Sequence, residues 1–69
     1  MSAAQQLAGQ VQQIQQAYQS GQISPAEYKE LINNMNLVQT IDENAATFEQ
    51  EQEARAIILS AIQLASAIY

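Results

Sequence analysis

The side chains of this sequence that could do acid–base or metal chemistry are almost all carboxylates. Seven acids stand against two bases, with no His and no Cys. General acid–base and nucleophilic catalysis draw on His, Cys or a carboxylate in a perturbing environment. Glu49 and Glu53 stand four residues apart and on a helix would share a face. On an acidic, solvated helix such a pair needs no shifted pKa and implies no pocket. Neither a Glu-x-x-His pair for a di-metal bundle nor a Gly-rich phosphate loop is present. Gly21, Ile23 and Glu27 match the second half of a calcium EF-hand loop, but its first ligands would be Gln16, Tyr18 and Ser20. One carboxylate without supporting charge does not hold calcium. The sequence therefore predicts no catalytic residue, no metal and no cofactor, and hence a non-enzymatic chain.

The same loop residues state a helix boundary. Gly21 suits the left-handed position that ends a helix. Ser24 is a good N-cap, Pro25 sits at the first helical position, and Glu27 completes a capping box. Ile23 and Tyr28 occupy the two positions of a hydrophobic staple. Gly21, Ser24 and Glu27 are thus the expected cap residues. Upstream, residues 1–26 carry no charge and hold nine of the thirteen glutamines. Ala4, Leu7, Val11, Ile14 and Tyr18 recur at alternating steps of three and four, which predicts a helix over about residues 3–20 with Ser2 as N-cap. Gly9 weakens that helix by up to about 1 kcal/mol relative to Ala. Downstream, Tyr28, Leu31, Met35 and Val38 continue the rhythm, and Ile32 broadens it. The predicted hairpin core sets Leu7, Val11, Ile14 and Tyr18 against Tyr28, Leu31 and Met35.

The run Gly21-Gln22-Ile23-Ser24-Pro25-Ala26-Glu27-Tyr28, followed by Leu31 and Ile32, resembles the short bacterial helical-hairpin family called SHOCT. That family's pattern is an apolar helix, then Gly-x-Ile-Thr/Ser-x-x-Glu-Phe/Tyr, then a Leu-rich helix. The resemblance covers roughly residues 7–35 and implies oligomerisation or partner contact, with no catalysis. In overall type the chain also resembles small structural or assembly proteins of tailed bacteriophages, which are short, Cys-free, Gln/Ala-rich and helical.

No Gly or Pro follows Pro25. One continuous helix from 25 to 69 would run roughly 68 Å, whereas a compact chain of this size is about 28 Å across. Either the chain breaks once or twice, near Asn33–Asn36 or within 42–53, or the protein is an elongated oligomer. Asn33, Asn34 and Asn36 are poor helix residues and favour the first break. Residues 42–53 carry Asp42, Glu43, Glu49, Glu51 and Glu53 without a base, and so the whole net charge of −5. Such a run reads first as a solvated face. The alternative is an acidic adaptor strip that binds a basic protein surface.

The C-terminal stripe Ala54, Ile58, Ala61, Ala65 and Ile68 is widened by Ile57, Leu59, Ile62, Leu64 and Tyr69. A helix apolar nearly all round is buried on several sides or sits in lipid. Ser60, Gln63 and Ser66 interrupt the run, which falls short of the roughly 18–20 residues of a spanning helix. Membrane association through 56–69 is the lesser alternative. A core this small rarely supplies more than about 3–5 kcal/mol. With no disulfide available, self-association is the expected staple. The predicted interface is Ile57, Ile58, Ala61, Ile62, Leu64, Ala65, Ile68 and Tyr69. Lys29 and Arg55 are the only bases, too few for direct nucleic-acid binding. No signal peptide is evident at the N-terminus.

The sequence thus predicts one all-α domain over residues 1–69. Its architecture is a helical hairpin with a long or broken second helix and an apolar C-terminal helix, forming a small oligomeric bundle. The expected partners are copies of the chain or a larger protein assembly, and the expected location is a virion or the cytoplasm.

Overall fold

A computed structural model describes residues 2–68. Five helices follow one another: α1 (Ala3–Gln19), α2 (Pro25–Asn34), α3 (Leu37–Glu43), α4 (Ala45–Gln50) and α5 (Gln52–Ser66). The described residues contain no strand, and the fold is all-α.

The α1–α2 hairpin follows from its caps. Ser2 Oγ accepts the Gln5 N–H at 3.1 Å and starts α1. At the far end the Gly21 N–H donates to the Tyr18 carbonyl at 3.2 Å, and the Gln22 N–H donates to the Ala17 carbonyl at 2.8 Å. This pair of bonds is the Schellman closure, and it requires the left-handed φ of +82° that Gly21 adopts. Ser24 Oγ then accepts the Glu27 N–H at 3.1 Å, while Glu27 Oε1 accepts the Ser24 N–H at 3.0 Å. Both halves of the capping box are made.

The chain beyond Pro25 breaks three times. The first break falls in the asparagine cluster: Asn36 takes φ +51°, a conformation Asn tolerates better than most residues. The other two are single-residue hinges at Asn44 (φ −121°, ψ 36°) and Glu51 (φ −113°, ψ 67°). Each hinge keeps its backbone satisfied. The Asn44 N–H reaches the Thr40 carbonyl at 3.1 Å, and its own carbonyl accepts the Phe48 N–H at 3.1 Å. Glu51 repeats the arrangement with Thr47 and Arg55. These breaks fold the chain into an envelope of 33 × 21 × 15 Å, half the length of the rod one continuous helix would make.

Helix α5 is the centre of the bundle and packs on all four other helices. That position explains its apolar character on more than one face. Ala54, Ile58, Ala61 and Ala65 are buried along it, facing a core that includes Ala4, Ala8, Val11, Tyr28, Ile32, Leu37 and Phe48. Leu7, Ile14, Tyr18 and Met35 pack at the margin as partly buried residues.

The reading of residues 28–38 and that of the interface are both corrected. Leu31 does not join the hairpin core: it is 42% exposed, whereas Ile32 is 3% exposed. Tyr28 and Ile32, four residues apart, set the inward face of α2, and Leu31 lies about 100° around the helix from Ile32. The stripe read through Val38 also fails, because the break at Asn36 resets the phase. Leu37 turns inward and Val38 is left 58% exposed. Secondly, Ile58, Ala61 and Ala65 do not form a face offered to a partner. They are the chain's own core, because α5 has helices on several sides. Ile57, Ile62, Leu64 and Ile68 are partly buried against that core. Tyr69, the last of the predicted interface residues, lies outside the described residues.

Candidate functional site

The polar groups of the hairpin hold helices together. The Tyr28 hydroxyl donates to the Ala61 carbonyl at 3.0 Å, and its ring stacks on Tyr18 with centroids 4.8 Å apart. Burial pushes the Tyr28 hydroxyl pKa up, opposed in part by a hydrogen bond with the Gln15 side chain. The Lys29 ammonium donates to the Ile68 carbonyl at 2.7 Å, just past the end of α5. A cation there meets the negative end of the helix. Among the described residues no buried side-chain polar atom lacks a partner.

The loop that imitates an EF-hand is committed to capping. Hydrogen bonds from the Ser24 backbone and side chain hold the Glu27 carboxyl below its usual range. No group of three or more His, Cys, Asp or Glu among the described residues is placed to hold a metal ion.

The acidic run borders three grooves. Asp42 and Glu43 border a groove of about 510 Å³ between α2–α3 and α5. Glu51 and Glu53 border a second groove, about 500 Å³, against Gln5, Gly9 and Gln12 of α1. Asp42 and Glu49 share a third with Arg55. Some of these acids have a local role. Glu53 lies in the first turn of α5, where a negative charge is favourable. Glu51 accepts a hydrogen bond from the Ser2 hydroxyl and ties the N-terminus to the α4–α5 hinge.

The first groove has a partly apolar lining. Ile32, Leu37, Ile62 and Ala65 line it together with the exposed Val38. Of the predicted interface residues that the structure describes, Ile62 and Ala65 line this groove. The stripe Tyr28, Leu31, Met35 and Val38 implies one continuing face, whereas Leu37 turns into the core and Val38 stands exposed beside the groove. The signal for their divergence lay in Asn33, Asn34 and Asn36, where a helix break divides one register from the next.

No protein-family model matches the chain, and neither curated proteins nor solved structures give a significant match.

Proposed function

We propose that this chain is a small non-enzymatic helical assembly protein, of the type found in bacteriophage virions or their assembly intermediates. It acts by contact with copies of itself or with a larger partner. The observation that carries this reading is the open groove beside Val38, an apolar surface on a chain whose inward apolar residues already have partners. The sequence supports it from the other side, since a chain without His or Cys offers few groups for acid–base or nucleophilic work.

The membrane alternative has less support. No helix among the described residues is long and apolar enough to cross a membrane. The apolar faces of α5 meet other helices of the same chain.

Two measurements test the proposal together. One is sedimentation with light scattering across a range of concentrations. The other is quantitative mass spectrometry of particles purified from the source. Assembly in solution, or a fixed stoichiometry in particles, supports the reading. A concentration-independent monomer that is absent from particles overturns it.

A further inference from the structure

We propose that the groove between α2–α3 and α5 receives a helical segment of a different protein, apolar on one face and flanked by Lys or Arg. This rests on the reading that the chain acts by contact, and it specifies where and with what chemistry. Ile32, Leu37 and Ala65, each 3% exposed and part of the chain's own core, floor the groove, and the partly buried Ile62 and the 58% exposed Val38 are the apolar side chains it offers to contact. An amphipathic helix fills such a groove with anchors spaced three and four residues apart.

Charge selects the occupant. Asp42 and Glu43 line the same groove from the last turn of α3. Negative charge at a helix C-terminus adds to the partial charge of the unpaired carbonyls. Within the chain this is answered by a neutral donor, the Gln39 amide on Glu43 at 3.0 Å. Arg55 lines the neighbouring groove together with Asp42 and Glu49. A cationic flank would answer the acids that line this groove directly. A second copy is a poor source of that flank. It carries the same net charge of −5 and two bases, of which Lys29 is engaged at the end of α5.

The test titrates the isotope-labelled full chain with a synthetic amphipathic helix of Leu and Lys, followed by backbone amide shifts. Controls replace Lys by Glu, or Leu by Ser. The expected result is saturable binding of the Leu/Lys helix, with shifts centred on Ile32, Leu37, Val38, Ile62 and Ala65. Neither control should bind there. The double variant Asp42→Asn/Glu43→Gln should weaken binding by about tenfold, the sum of two exposed charge pairs. Val38→Ser, at an exposed position that leaves the core intact, should weaken it several-fold. Equal binding of the Leu/Glu helix, shifts centred on the Glu51–Glu53 groove, absence of binding, or indifference to both variants overturns the proposal. The sedimentation and particle measurements distinguish this failure from failure of the broader reading. Assembly that persists in these variants keeps the assembly role and removes this groove from it.

Discussion

The Tyr28 hydroxyl donates to the Ala61 carbonyl at 3.0 Å, and neither residue is exposed to solvent. One bond thereby joins the second helix of the hairpin to the middle of α5, across a sequence separation of 33 residues. The Tyr18 ring backs Tyr28, so α1, α2 and α5 meet at one side chain. Placing a phenol at this junction fills volume and positions one polar group, which gives α5 a defined height against the hairpin.

Tyr28→Phe removes the hydroxyl and keeps the ring. Stability should fall by about 0.5–1.5 kcal/mol, the usual net value of one internal hydrogen bond. Tyr28→Ala should cost about 3–5 kcal/mol, as large aromatic truncations in cores do. That is comparable to the whole net stability expected of so small a core. The same residue predicts a pH response. Its folded pKa is raised above the ordinary value of 10.0. Its contribution is therefore full below about pH 10 and is lost as pH rises through the higher folded value. Urea titrations in alkaline buffers should show wild type losing its advantage over Tyr28→Phe.

The capping box should respond at the opposite end of the pH scale. Ser24→Ala should cost about 1 kcal/mol, since it leaves the Glu27 N–H without its acceptor. Glu27 has a folded pKa below the ordinary 4.5. Its contribution is present above about pH 4.5 and lost as pH falls through the lower folded value. Wild type and Glu27→Gln should therefore differ at neutral pH and converge in acid. A gap that persists to low pH would show that the ionised carboxylate is not what supports the cap.

How much of this was legible in the sequence depends on the range of the interaction. The hairpin was legible because Gly21, Ser24, Pro25 and Glu27 act on backbone groups within four residues. The break at Asn36 was legible for the same local reason. Chain length pointed to a break within 42–53, where both hinges fall, but not to Asn44 and Glu51 as the residues, for neither Gly nor Pro marks them. Burying Phe48 near Ala4 and Leu7 while Leu37 before it and Ile58 after it enter the same core requires one turn on each side of Phe48. That demand comes from tertiary packing. The groove beside Val38 depends on those turns, so its residues could be named from the sequence but not brought together.

Adjacent residues on α2 separate the two phases of that helix. Ile32→Ala should cost about 2–5 kcal/mol, because Ile32 is buried in the core. Leu31→Ala should stay within about 0.5 kcal/mol, as surface substitutions usually do. Urea midpoints at constant slope would measure both. If Leu31→Ala were the more damaging, the inward face of α2 would have to be rotated by one residue.

The two glycines should respond to alanine with opposite signs. A methyl group at Gly9 would meet nothing within 4 Å, and the backbone there is ordinary helix. Gly9→Ala should stabilise the chain by about 0.5–1 kcal/mol, because Gly in a helix interior carries that excess entropy cost. Gly21 also has open space around it, but its φ is +82°. An L-residue in that region bears about 1–2 kcal/mol of strain, so Gly21→Ala should destabilise by roughly that amount. Free space is equal at the two sites, so the difference isolates backbone conformation from packing. Chemical denaturation of the two variants measures it, and equal effects of one sign would mean that the Schellman turn does not require its left-handed residue.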